Sequence, residues 1–125
     1  MKVRCVKLLD SNGRETTTSY WLRLDGVYEV LSLCMDLAGG VFVQLIGEKD
    51  PNPGFYPLKQ FEVVDGFMSR NWVVHMRSDG GLHIGPAPWM VPGFWERYFE
   101  GDADAKETFE RERLRISEGG DAVDK

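Results

Sequence analysis

The fold is decided by residues 22–64, which read LRLDGVYEVLSLCMDLAGGVFVQLIGEKDPNPGFYPLKQFEVV. Three runs in this stretch, at residues 27–33, 41–46 and 61–64, are rich in β-branched and aromatic side chains. Glycine, proline, asparagine or aspartate punctuates both ends of each run, which is typical of short β-strands joined by turns. The stretch therefore predicts a small, tightly curled antiparallel sheet.

The flanking residues extend this prediction. Residues 3–9 predict a first strand, which ends at the turn sequence Asp10-Ser11-Asn12-Gly13. Gly39-Gly40 predicts the hairpin link between the first two runs. Residues 47–54 contain two prolines and two glycines, and therefore predict an ordered surface loop.

A family resemblance is carried by two short patterns in this region. They are Leu22-x-x-x-Gly26-x-Tyr28-Glu29-Val30-Leu31 and Tyr56-Pro57-x-x-x-Phe61-Glu62-Val63-Val64. Together they resemble a pattern found in small, mostly uncharacterised bacterial and phage proteins with Src-homology-3-like (SH3-like) barrels. The resemblance covers residues 3–64 and implies a five-stranded, partly open barrel over residues 3–66. It carries no catalytic residues.

Residues 68–85 predict a further hairpin. Alternation places Trp72, Val74, Met76, Leu82 and Ile84 on one buried face if residue 78 pairs with residue 82. This register leaves Asp79-Gly80-Gly81 as a three-residue loop. It also places His75 and His83 on the opposite, outward face, where they are diagonal neighbours.

The C-terminal part predicts helices. Residues 93–99 predict a short helix that stops at Gly101. Asp104 is the expected N-cap of a second helix, with Glu107 completing a capping box. Ala105, Phe109 and Ile116 form a narrow stripe that is expected to dock this helix on the barrel. The fold class is thus α+β, mainly β: one domain over residues 1–118 (barrel 3–66, hairpin 68–85, helical segment 93–118) and a flexible tail, 119–125.

Composition narrows the functional classes. The 125 residues suit one domain, and the longest apolar runs are far shorter than a membrane helix or a signal peptide requires. We therefore expect a cytoplasmic protein. The net charge of −5 argues against nucleic-acid binding and suits a protein partner, in particular a basic one.

Catalytic and metal-binding patterns are weak. His75 and His83 would supply two zinc ligands, whereas catalytic sites use three protein ligands and structural sites four. Cys5 and Cys34 lack C-x-x-C spacing, so free thiols are expected, with a disulfide or a reactive role as the alternatives. Nucleophile-elbow and phosphate-loop patterns do not occur. We therefore predict no enzyme, cofactor or metal site, while a carboxylate or histidine site in a small enzyme remains an alternative.

Aromatic residues provide the strongest functional signal. Six rings lie within residues 72–99 (Trp72, Trp89, Phe94, Trp95, Tyr98 and Phe99), where they either seal the core or form a contact patch beside Arg97. The predicted contact residues are Trp89, Trp95, Arg97 and Tyr98, with Tyr56 and Trp21 as a second group. They predict a non-catalytic protein-binding module. Two versions compete: an immunity-type protein that steers a basic toxin with an acidic helix over residues 104–118, and an adaptor that reads a peptide along the barrel loops.

Overall fold

The computed structural model describes the backbone of residues 1–122 and the side chains of residues 1–118. It is mostly β, with 35% of residues in strands and 25% in helices. The elements are β1 (Lys2–Cys5), β2 (Leu8–Leu9), β3 (Glu15–Thr16), β4 (Val27–Glu29), β5 (Ser32–Met35), β6 (Val41–Ile46), β7 (Pro53–Pro57), β8 (Phe61–Asp65), β9 (Trp72–Met76), β10 (Leu82–Pro86), α1 (Phe94–Phe99) and α2 (Ala103–Ala122).

The strands form two main antiparallel sheets. One has the order β4-β1-β8 and the other the order β7-β6-β5-β10-β9, while β2 and β3 form a separate ribbon. The described residues do not form a closed barrel. The expected strand over residues 27–33 is instead divided between the sheets, because the backbone N–H of Val30 donates to Met1 and that of Leu31 donates to Gln44. The chain therefore changes sheet between β4 and β5.

The hairpin of β9 and β10 is part of the larger sheet, because β10 pairs with β5. Its register differs from the predicted one by two residues: Leu82 pairs with Met76, and His83 lies directly opposite His75. The loop has three residues, as expected, but they are residues 78–80. The N–H of Gly80 donates to Arg77 at 2.9 Å, and Gly80 has a φ of 90°, which suits glycine.

The two C-terminal helices pack on each other and on the chain that leads into them. The second begins two residues earlier than predicted, since Asp102 rather than Asp104 caps it by accepting a hydrogen bond from the N–H of Ala105 at 3.0 Å. The predicted stripe of Ala105, Phe109 and Ile116 is buried, as expected, but the helix packs on α1 and residues 87–90 rather than on a closed barrel. The helix continues to Ala122, past the expected start of the tail, whose last residues, 123–125, lie outside the described part.

Glu112 is a member of the buried stripe that the sequence did not reveal. Its side chain is almost fully buried, and its Oε1 accepts a hydrogen bond from Asn71 Nδ2 at 3.1 Å. Arg111 and Arg115 each donate to its other oxygen at 3.3 Å. The carboxylate therefore stabilises α2 against the segment before β9, where Ser69 also contacts Asn71.

Among the described residues, no helix combines the length and the apolar character needed to cross a membrane.

Candidate functional site

The first group of predicted contact residues lies in a packed aromatic cluster. Trp89 and Tyr98 are only 2% and 3% exposed, and both rings pack on Phe109 of α2, with centroid distances of 5.0 and 4.9 Å. Trp95 is half-buried and packs edge-to-face on Trp89 and Tyr98. Arg97 is exposed. The packing of α2 has thus placed Trp89 and Tyr98 in the core and Trp95 against it.

The indole nitrogens of this cluster lie inside the packed rings. The Nε1 atoms of Trp89 and Trp95 are buried and have no hydrogen-bond partner among the described residues. A ring edge that faces another ring gives its polarised hydrogens a weak acceptor, and such pairs are favourable beyond their area burial. The rings therefore serve packing, which leaves the second group as the candidate contact surface.

Trp21 and Tyr56, the second group, line one groove. It has a volume of about 380 Å³ and lies between the loops that flank β2 and β3 and the end of β7. We call it the Trp21 groove; its lining includes Asp10, Trp21, Leu22, Tyr56, Pro57 and Lys59. The Trp21 side chain is 45% exposed, and its ring packs edge-to-face on the exposed ring of Tyr20 at 4.6 Å. Two exposed rings thus stand at the rim of a groove that also contains a half-buried tyrosine.

The backbone around Trp21 is held by the neighbouring β6–β7 loop. The Trp21 carbonyl accepts a hydrogen bond from the N–H of Glu48 at 2.8 Å. Gly47 permits this approach, since a Cβ at that position would lie 2.4 Å from the same carbonyl oxygen. Ser19 adds a local turn, with its hydroxyl accepting from the N–H groups of Trp21 and Leu22. The ring of Trp21 is therefore exposed while its backbone is fixed.

Tyr28 provides a second anchor for the same loop. Its hydroxyl accepts a hydrogen bond from the N–H of Arg23 at 2.9 Å and donates to Glu48 Oε2 at 2.6 Å. Burial, together with this bond to Glu48, raises the pKa of Tyr28 to about 12. The hydroxyl therefore stays protonated at neutral pH and keeps both hydrogen bonds.

Charge and hydrogen-bonding groups are distributed along the groove. Burial raises the pKa of Tyr56, and the charge of Asp50 raises it further, so the Tyr56 hydroxyl remains an available donor. Asp10 is also in the lining, and one of its carboxylate oxygens accepts hydrogen bonds from the N–H groups of Asn12 and Arg14. Lys59 is the exposed basic residue of the lining. The groove thus combines an aromatic wall with one carboxylate in its lining and a second carboxylate that acts on Tyr56.

A second cavity lies between the larger sheet and residues 89–96. It has a volume of about 460 Å³, and we call it the Cys34 pocket. His75 and His83 both line it, as directly opposed neighbours rather than the expected diagonal pair. Within the described part of the chain, no group of three His, Cys, Asp or Glu residues is arranged to hold a metal ion. The pairing of β5 with β10 that brings Cys34 to this pocket had no signal in the sequence.

Comparison with known proteins gave no match to any family model, curated protein or solved structure. The resemblance to SH3-like proteins therefore stays a prediction, and the function must be argued from the groove and the pocket themselves.

Proposed function

We propose that this chain is a non-catalytic protein-binding module and that the Trp21 groove holds an extended segment of its partner. The observation that carries the proposal is the exposed ring of Trp21, on a backbone held by hydrogen bonds, in the same groove as Tyr56. Tryptophan and tyrosine are the residues most often found as energetic anchors of interfaces. Because the backbone of Trp21 is already held by Glu48, little conformational entropy is lost when a partner covers the ring.

The chemistry of the groove favours one class of segment. Grooves lined by aromatic rings accept extended, proline-containing peptides, whose backbone loses little entropy on binding. Asp10 lies in the lining and Asp50 acts on Tyr56, so two carboxylates oppose the single lysine of the lining, Lys59. Together with the net charge of −5, this favours a basic residue in the bound segment.

The main support for the immunity-type alternative, an acidic helix, is weak. That alternative relied on an acidic helix, but residues 104–118 contain five carboxylates and four basic side chains, a net charge of −1. Glu110 is paired with Arg113 at 2.8 Å, and Glu112 is buried between two arginines. A surface with so small a net charge gives little electrostatic steering. The peptide-reading adaptor is therefore the version that we propose.

We also propose that the two-sheet fold is a divergent form of the SH3-like barrel and that the protein works in the cytoplasm. The patterns in residues 22–64 support the first point. The two free cysteines support the second, since reducing compartments keep such thiols unpaired.

The experiment is selection of binders from a randomised peptide library, followed by affinity measurement with fluorescently labelled peptides. We expect proline-containing peptides with a basic residue, and Trp21→Ala should weaken their binding about 30-fold, the loss of one interface anchor. Phe67→Ala is the matched control, because Phe67 is 65% exposed and does not line the groove. Circular dichroism checks that both variants fold.

Two outcomes would contradict the proposal. One is a library that yields no binder for the folded wild-type protein. The other is an equal loss of affinity in Trp21→Ala and Phe67→Ala, which would place the contact outside the groove.

A further inference from the structure

The Cys34 pocket contains a row of chemically active side chains that the proposed function does not use. Strand register places Phe42, Cys34, His83 and His75 directly opposite one another on four successive strands, β6, β5, β10 and β9. Side chains of directly opposed residues lie on the same face, with Cβ atoms about 5 Å apart. The thiol therefore has an aromatic ring on one side and an imidazole on the other.

An arginine acts directly on the sulfur. Arg77 Nη1 donates to Cys34 Sγ at 3.2 Å, and Arg77 Nη2 is held by Asp79 Oδ2 at 2.7 Å. A thiolate accepts a charge-assisted hydrogen bond better than a thiol does, and neighbouring cationic groups are typical of reactive cysteines. Asp79 fixes the guanidinium in the position where it meets the sulfur.

The imidazole opposite Cys34 is neutral and oriented. His83 Nε2 lies 3.2 Å from Ser32 Oγ, and the Ser32 hydroxyl donates to Gln44 Oε1 at 2.7 Å. Since the hydroxyl proton is used on Gln44, Nε2 of His83 is the donor to Ser32, and Nδ1 carries the lone pair. Burial, and then the charges of Arg77 and His75, lower the pKa of His83. The ring is therefore uncharged at neutral pH.

The walls of the pocket are suited to a flat ring. Phe42 and Phe55 come from the sheet, and Trp89, Phe94 and Trp95 come from the segment that covers it. The polar lining consists of Cys34, His83 and His75 from the row, together with Arg77 and Glu96. A cavity of about 460 Å³ is within the size range of small-molecule sites, which are mainly apolar with a few convergent polar groups.

We propose that the Cys34 pocket is a thiol–disulfide exchange site that takes small aromatic disulfides. The Cys34 thiol first loses its proton to solvent, and the thiolate then attacks one sulfur of the bound disulfide. The new bond joins Cys34 Sγ to that sulfur, the original S–S bond breaks, and the other half leaves as a thiolate. One disulfide is consumed and one is formed, so no further oxidant is needed. The aromatic walls hold the ring of the reagent while Arg77 stabilises the attacking sulfur.

Cys5 provides an internal control for this chemistry. It is completely buried, and its thiol donates to the carbonyl of Lys7 at 3.4 Å. Burial raises the pKa of Cys5, with a smaller contribution from the charge of Asp25. A buried thiol with these surroundings is expected to be inert in the folded protein.

The experiment uses the folded full chain and two probes. Dithiobis(nitrobenzoate) is an aromatic disulfide whose released thiolate is followed by absorbance, and iodoacetamide is a small reagent without a ring. We expect one equivalent of the disulfide reagent to react rapidly with the protein, at a rate above that of a free cysteine derivative. Peptide mass mapping should locate this modification at Cys34. Arg77→Gln should slow this reaction about tenfold, the loss of one charge-assisted hydrogen bond, while Arg97→Gln, an exposed arginine outside the pocket, should not.

Phe55→Ala distinguishes the contribution of the pocket wall to the reaction rate from that of the thiol. It removes an aromatic wall without touching the sulfur, so it should slow the aromatic disulfide and leave the iodoacetamide rate unchanged. The proposal is overturned if wild-type Cys34 reacts no faster than the free cysteine derivative, if Arg77→Gln reacts at the wild-type rate, or if Phe55→Ala alters both probes equally. The rate comparison uses only the wild-type protein, with mass mapping to locate the modified cysteine, so it decides the first point even if a variant fails to fold.

Discussion

Gly47→Ala tests directly whether the β6–β7 loop holds Trp21 in place. A methyl group at position 47 would lie 2.4 Å from the Trp21 carbonyl oxygen, about 1 Å closer than the 3.4 Å of ordinary contact, so one of the two segments must move. The movement would break the hydrogen bond from the N–H of Glu48 to that carbonyl. Leaving a partly buried backbone pair unsatisfied costs about 2 kcal/mol. We therefore expect Gly47→Ala to lower the free energy of unfolding by about that amount and to weaken peptide binding at the groove.

Gly54→Ala is the matched control for this substitution. Its added methyl group would meet the Tyr56 ring at 3.5 Å, an ordinary contact, so its stability should stay close to that of the wild type. Urea unfolding followed by far-UV circular dichroism gives both free energies. If Gly47→Ala is as stable as Gly54→Ala and binds peptides equally well, the close approach of the two loops is not what positions Trp21, and our account of the groove is wrong.

Three further predictions concern the core, the loop anchor and pH. Phe109→Ala should lower the free energy of unfolding, measured in urea, by about 4 kcal/mol, since it removes a buried ring with several aromatic neighbours. Leu114→Ala, at an exposed position on the same helix, should change it little. Equal effects would contradict the docking of α2. Tyr28→Phe should cost about 1–3 kcal/mol because it leaves the N–H of Arg23 without its acceptor, and an unchanged unfolding midpoint would speak against that anchor. The pKa of His83 is lower in the folded protein than in the unfolded chain, so the unfolded chain binds the proton more readily. The free energy of unfolding should therefore have its full value above pH 6.5, the ordinary pKa of histidine, and should fall as the pH drops below 6.5. His83→Gln should flatten that fall more than His75→Gln does, and a wild-type stability that is constant through this range would refute the prediction.

Local patterns in the sequence were sufficient where local chemistry decides the structure. The run at residues 41–46 became β6, and the stripe of Ala105, Phe109 and Ile116 became the buried face of α2. Glycine fixed three three-residue hairpin loops, with Gly13, Gly39 and Gly80 at positive φ. These features depend on side-chain alternation, helical spacing and backbone freedom, all of which act over a few residues.

Features that depend on distant pairing could not be predicted in the same way. The predicted hairpin register assumed that Val74 and Met76 had to be buried, but both are exposed at the edge strand β9. Glu112 looked like a solvent-facing charge, because nothing near it in sequence indicates that Asn71 donates to it across the fold. A buried carboxylate is recognisable only when the donors that compensate it are known.

The same distinction explains why the densest aromatic stretch is not the proposed contact surface. Rings at residues 89, 95 and 98 lie next to a helix whose buried face carries Phe109, and covering them all removes more apolar area from water than any single ring could. Among the described residues, Trp21 has a ring contact only with Tyr20, and its backbone is held by a loop that has glycine at the point of contact. An isolated ring kept exposed by a fixed backbone is therefore better evidence for binding than a cluster of rings, because a cluster can bury itself.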